Sequence, residues 1–271
     1  MKKLAVFILS ILVLVGTASA QNRETRKVEA FTKLSFRVPG KLFLKQGNEL
    51  KVELEGDRDV LEKIETKVEG TKLTIGREDK WSDWNWDNDD KITVYVTMKS
   101  IEGLSVSGSG DLIGQGKINA GELSLAVSGS GSLDVDADAT GEVEANVSGS
   151  GDLTLKGKSK SVDSSISGSG KVILSTTTSG KVDVSVSGSG KMEASGSAQE
   201  IKAVISGSGK VLASNLEVTR CNVRISGSGD VEVNVKDEID ATISGSGSVL
   251  YKGNPSHVNS HASGSGKVRK M

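Results

Sequence analysis

Ser107-Gly108-Ser109-Gly110 recurs as Ser128-Gly129-Ser130-Gly131, and seven further copies begin at Ser148, Ser167, Ser187, Ser206, Ser226, Ser244 and Ser263. Successive copies start 18 to 21 residues apart. A near-constant period of this length marks a solenoid, in which each repeat is one coil stacked on the last. The residue before each first Ser is Val106, Val127, Val147, Ile166, Val186, Ile205, Ile225, Ile243 or Ala262. Two places past each last Gly stand Leu112, Leu133, Leu153, Val172, Met192, Val211, Val231, Val249 and Val268. Apolar residues alternate with polar ones on both sides of the glycines, which is the period of a strand with one buried face.

Each repeat is therefore strand, sharp bend, strand and looser turn. A single coil cannot bury its apolar face; stacked coils can. The expected fold is all-β: a single-stranded parallel β-helix of about nine Ser-Gly-Ser-Gly coils with an irregular β-rich N-terminal cap. The crossover rule favours a right-handed path. At about 4.8 Å per strand the coils make a rod roughly 40 Å long. Glycine permits positive φ and close approach of stacked backbones. Serine is small and both donates and accepts a hydrogen bond, so columns of bonded hydroxyls are expected along the corners. A ligand-binding row of hydroxyls is the other reading of the same motif, and the structural one is preferred.

Two motif matches fail on chemistry. Gly168-Ser169-Gly170-Lys171 contains the Gly-Lys of a phosphate loop, but Ser165 and Val172 stand where that loop needs Gly and Ser or Thr. Gly108-Ser109-Gly110-Asp111 looks like a calcium-binding repeat, yet Lys171, Lys191 and Lys210 take the aspartate's place in later coils, and lysine does not ligate calcium at neutral pH. Those three lysines form a column that must face water. It serves either as a solvated face or as an attraction for an anionic polymer, and the former is preferred.

The chain has 271 residues and a formal net charge of −1, which offers nothing to nucleic acid. Residues 1–20 read as a signal peptide: Lys2 and Lys3, an apolar run from Leu4 to Val15, and Ala18-Ser19-Ala20 before the expected cleavage point. No stretch beyond it is apolar enough to span a membrane. The destination is periplasm, outer cell surface or medium. Residues 21–30 are charged and expected to be loose. Residues 31–100 carry alternating runs at Leu34/Phe36/Val38, Leu42/Leu44, Leu50/Val52/Leu54, Leu73/Ile75 and Ile92 to Met98, and form the cap with the first irregular coils. Residues 101–271 are the repeat region. Cys221 shares a column with Ile201 and Ile239 and reads as a small core residue. Only Lys267–Met271 follow the last corner, without the strands of a membrane barrel, so self-export through an outer membrane is not expected.

The least repetitive stretch is the loop between the strands at Ile75 and Ile92. It holds Trp81, Asp83, Trp84, Trp86, Asp87, Asp89 and Asp90. Three readings stand: indoles and carboxylates binding a glycan, the aspartates holding calcium, or the indoles folded over the end of the rod. No cofactor or metal is expected, calcium at this loop being the disfavoured exception. His257 and His261 are four apart, a zinc spacing on a helix but not in a strand. Asp111, Asp152 and Asp230 are separated by coils bearing Ser or Lys, and no nucleophile–base pair is evident, so a glycan-cleaving β-helix enzyme is the rival reading.

The run Phe31-Thr32-Lys33-Leu34, then Lys41-Leu42-Phe43-Leu44-Lys45-Gln46-Gly47, Val52-Glu53-Leu54-Glu55-Gly56-Asp57, Glu69-Gly70-Thr71-Lys72-Leu73-Thr74-Ile75 and Ile101 to Asp111 resembles the bacterial family named putative auto-transporter adhesin, head GIN domain. The resemblance spans most of the chain after the signal. It implies an exported β-helix, common in Bacteroidetes-type bacteria, with no established activity and no catalytic residues to carry over. The resulting expectation is a non-catalytic envelope or surface protein, adhesin-like, with an envelope glycan or surface protein as partner. The rivals are a polysaccharide-degrading enzyme and a passive structural or assembly protein.

Overall fold

The computed structural model describes residues 22–77 and 92–271, which form twenty-two strands and one short helix. From Gly103 onward each coil is two straight runs joined by a Ser-Gly-Ser-Gly corner. β8 (Gly103–Gly108) leads to β9 (Asp111–Ala120), β10 (Leu123–Gly129) to β11 (Ser132–Ala139), β12 (Glu142–Gly149) to β13 (Asp152–Ser159), and β14 (Ser161–Gly168) to β15 (Lys171–Thr178). β16 (Lys181–Gly188) leads to β17 (Lys191–Gly207). β17, β18 (Lys210–Gly227) and β19 (Asp230–Gly245) each run on from the second half of one coil into the first half of the next. β20 (Ser248–Lys252), β21 (His257–Gly264) and β22 (Lys267–Lys270) finish the rod. First runs pair in parallel into one sheet and second runs into the other. Like positions stack: Ser128 lies opposite Ser107 and Ser148, and Leu133 opposite Leu112 and Leu153. The parallel solenoid is as expected, its nine corners bounding eight full turns.

The inner faces of both sheets make one core. Val127, Val147, Ile166, Val186, Ile205, Ile225 and Ile243 are all buried, as are Leu112, Leu133, Leu153, Val172, Met192, Val211 and Val231. Cys221 is buried in the column of Ile201 and Ile239, and burial, with the Glu200 carboxylate adding to it, pushes its thiol up to about 12. Two small polar spots, one on each sheet, interrupt the hydrocarbon. The Ser164 hydroxyl donates to the Ala145 carbonyl at 2.9 Å, and Ser159 and Thr178 share a bond of 3.2 Å.

The two glycines of a corner are needed for different reasons. Gly168 has φ +118°, a conformation L side chains rarely adopt. Gly170 is limited by space: an added Cβ would lie 2.5 Å from Val147 Cγ1, one coil below. The ladder closes through the corner by backbone bonds, Ser169 N and Gly170 N both donating to the Gly149 carbonyl at 2.9 Å. The expected hydroxyl columns do not form. The corner serines point to solvent, and among the described residues none of their hydroxyls has a hydrogen-bond partner within the protein. The backbone already closes the corner, so the fold makes no demand on the hydroxyl.

The cap departs from the expected order. β2 (Lys33–Phe36) and β3 (Lys41–Gln46) form a coil on top of β8 and β9, with Phe36 opposite Val106 and Lys41 opposite Asp111. Arg37–Gly40 therefore takes the place of Ser107–Gly110. Next outward come β6 (Lys72–Arg77) on β2 and β7 (Thr93–Met98) on β3. The coil later in sequence lies further out, and residues 99–102 must pass the β2–β3 coil to reach β8. Antiparallel strands then cover the end: β5 (Ile64–Glu69) on β6, β4 (Lys51–Gly56) on β7, and β1 (Asn22–Thr25) on β4. Helix α1 (Arg58–Leu61) buries Val60 and Leu61 over the core. Residues 22–25, expected to be loose, are thus a strand. Arg23 holds it in place, its guanidinium 4.4 Å over the Tyr95 ring and 3.0 Å from Glu53.

Candidate functional site

The rod has two long edges. One carries the corners; the other carries the looser turns. On the corner edge Ile75 is in register with Phe36, and Thr93 with Lys41. The β6–β7 corner therefore uses residues 76–92, where the next coils use only 37–40 and 107–110. Trp81, Asp83, Trp84, Trp86, Asp87, Asp89 and Asp90 belong to this long corner and lie outside the described residues.

On the turn edge, where residues 99–102 cross the β2–β3 coil, lies an open groove of about 830 Å³. Lys33, Lys99, Glu102, Glu122, Glu142 and Glu144 bring charge to it, and Ile101 and Leu123 lie beneath. Its wall is fixed by Gln46, whose amide donates to the carbonyls of Lys99 (3.1 Å) and Asn119 (2.9 Å) and accepts from Asn119 N–H (2.8 Å). Glu102 accepts from the Thr32 hydroxyl at 2.9 Å, Glu142 from Ser161 at 3.0 Å and Glu144 from Ser124 at 3.3 Å. None of these six charges forms an ion pair with another described residue. Sequence reasoning passed over this groove, because the crossover that opens it depends on the order of strands in the cap. The recurrence of Glu102, Glu122 and Glu142 at the coil period was the one available signal.

The outward faces carry columns of charge. Glu144, Asp163 and Asp183 stack on three successive coils. Burial, together with the carboxylates of Asp183, Glu142 and Glu144, raises the Asp163 carboxyl above the ordinary range, while Asp183 is tied to the Lys181 ammonium. Asp163, Asp183, Ser185 and Lys202 line a shallow hollow of about 270 Å³. On the other sheet Lys171, Lys191 and Lys210 stack as expected, but the column is largely neutralised. Glu193 lies 2.7 Å from Lys191 and 3.5 Å from Lys171, and Lys210 lies 3.5 Å from Asp230. The Lys191 ammonium, with Lys171 behind it, holds Glu193 below the usual carboxylate range.

His257 and His261 both sit on β21, where four residues span about 13 Å, too far for one metal ion. Among the described residues no group of three His, Cys, Asp or Glu is placed to hold a metal. No helix among them is long and apolar enough to cross a membrane.

Solved structures share this architecture. A putative lipid binding protein from Parabacteroides distasonis ATCC 8503 aligns with TM-score 0.70 and 21% identity, covering 94% of this chain and 98% of its own. A putative adhesin from Parabacteroides merdae ATCC 43184 aligns with TM-score 0.71 and 20% identity, covering 94% and 97%. A putative adhesin from Bacteroides fragilis NCTC 9343 aligns with TM-score 0.52 and 19% identity, covering 94% and 98%. At such identities the likeness is one of fold. No curated protein matches the chain at a significant level. The family model described as "Putative auto-transporter adhesin, head GIN domain" matches residues 30–194 and 165–255. Together these spans cover the cap and nearly all the coils, and the chain belongs to that family.

Proposed function

We propose that the chain is an exported, non-catalytic protein of the cell envelope or surface that binds an envelope glycan through the 81–90 stretch. The supporting observation is the length of the β6–β7 corner. Four residues suffice to turn the chain at the neighbouring corners, so residues 76–92 exceed what the fold requires. The excess carries Trp81, Trp84 and Trp86 with Asp83, Asp87, Asp89 and Asp90. Indole faces stack on sugar rings, and carboxylates accept their hydroxyls. Membership of an adhesin family is consistent with such a role.

All three tryptophans lie in this stretch, so intrinsic fluorescence of the mature protein reports on it alone. Titration with envelope polysaccharides and peptidoglycan fragments should shift the emission and saturate, and Trp84→Ala should weaken the response. An emission maximum indifferent to every glycan would assign the indoles to the end of the rod and remove the reading.

One observation favours the enzyme as the second reading. Asp163, raised, beside Asp183, which is ion-paired with Lys181, places two carboxyl groups side by side as acid–base hydrolysis of a glycoside does. The 270 Å³ hollow is smaller than an ordinary ligand pocket, and stacked carboxylates on a solvated ladder shift in this direction without a catalytic purpose. Reducing-sugar release from the bound polysaccharide, lost in Asp163→Asn, would decide for the enzyme.

A further inference from the structure

The turn-edge groove lies on the opposite edge of the rod from the described ends of the β6–β7 corner, Ile75 and Thr93, and stands independently of the glycan-binding reading. We propose that it is a second binding site, for a polyhydroxylated chain bearing free amines, that is, an amino-sugar oligomer. The groove exists because residues 99–102 cross the β2–β3 coil, and Gln46 fixes that crossing to Asn119 by three hydrogen bonds. Its shape is therefore set before any ligand arrives, which lowers the ordering cost of binding.

Its charges are the second argument. Elsewhere on the rod several cations pair with an acid on the neighbouring coil: Lys171 with Glu193, Lys210 with Asp230 and Arg220 with Glu200. In the groove Lys33 and Lys99 face Glu102, Glu122, Glu142 and Glu144, and no pair forms. Carboxylates outnumber ammonium groups, so the surplus charge suits a cationic ligand, with both lysines free to donate to hydroxyls.

A peptide fits less well. The strands beside the groove, β8 and β10, are paired on both sides, so no backbone edge is open for strand addition. Ile101 and Leu123 are buried in the core and leave no apolar pocket for an anchoring side chain. Recognition rests on discrete charges and hydrogen bonds, as sugars require.

Isothermal titration of the mature protein with short glucosamine oligomers tests the site. Saturable binding is expected, absent for the N-acetylated oligomers, which lack the charge. The Glu122→Gln/Glu142→Gln variant should weaken binding at least about tenfold, the loss of one good charge-assisted contact, while Glu193→Gln on the other sheet should leave it unchanged. Circular dichroism of each variant checks that the rod is intact. No saturable binding, equal binding of the acetylated oligomers, or unchanged affinity in the double variant would each overturn the proposal. So would tighter binding of oligolysine, which would show a response to charge alone. The fluorescence of the 81–90 stretch is read separately, so failure there removes the corner-edge reading and leaves this one standing.

Discussion

The corner shows how differently four neighbouring residues can be constrained. Gly168→Ala would force a side chain into positive φ, and Gly170→Ala would drive a Cβ into Val147. Each should destabilise the rod by about 1–3 kcal/mol, measured by denaturant unfolding. Ser169→Ala in the same corner removes an exposed hydroxyl with no partner and should change stability by less than about 0.5 kcal/mol. A large loss from Ser169→Ala would restore the bonded hydroxyl column. Asp163 gives a pH prediction. Its folded-state carboxyl titrates above the unfolded one, so its charge costs stability at neutral pH, and the cost disappears as pH falls below the unfolded value, about 4. Asp163→Asn should raise the melting temperature at pH 7 and lose that advantage at low pH. Cys221 has the same sign at the alkaline end. The stability its neutral thiol contributes is present below the unfolded value of 9.0 and is lost as pH rises toward about 12. In the native protein Cys221 should resist thiol reagents at pH 8 and react fully once the protein is unfolded.

At the scale of the element, the coil is the unit of stability. Each coil bonds to the one before and the one after, in fixed register, so one coil can be removed if the register is kept. Deleting residues 167–186 brings Ile166 directly before Ser187, where Val186 stood, and should leave a shorter folded rod with a lower denaturant m-value. Deleting ten residues would set the second run of one coil where the first run of the next belongs and lose a glycine corner, and should abolish cooperative unfolding. Similar behaviour of the two deletions would contradict the register. This much was legible in the sequence, because contacts at one constant offset write a constant period into the chain. β1 was not legible: it is four residues long, polar and fully exposed, so no apolar alternation marks it. β5 alternates Ile64, Thr66 and Val68 with Glu65, Lys67 and Glu69, but only two apolar residues mark its inner face.

The whole molecule is asymmetric along its axis. The cap end is covered by α1 and by antiparallel strands bearing charge, such as Glu65, Lys67 and Glu69 on β5, which blunt the exposed edge. Toward the other end, every residue of β21 is exposed, with Val258 at 41%. Hydrogen exchange should accordingly be fastest in residues 257–270 and slowest where the cap meets the first coils, around Phe36, Leu104 and Val106. Uniform protection along the rod would mean that the coils unfold as one block. Leu61→Asp, which places a charge beneath the cap, should promote association of the rods, seen by light scattering.

The sequence by itself determined the fold class, the coil boundaries, the register and the core columns, because each rests on neighbours at a fixed separation along the chain. It also pointed to the 76–92 corner as the place where the repeat is broken. Only the tertiary structure decided that β6–β7 lies outside β2–β3, that a groove opens where residues 99–102 cross between them, that the lysine column is neutralised by Glu193 and Asp230, and that the corner hydroxyls are free. Those outcomes depend on which strands from distant parts of the chain lie side by side and on where long side chains reach across coils. A period along the chain records neither.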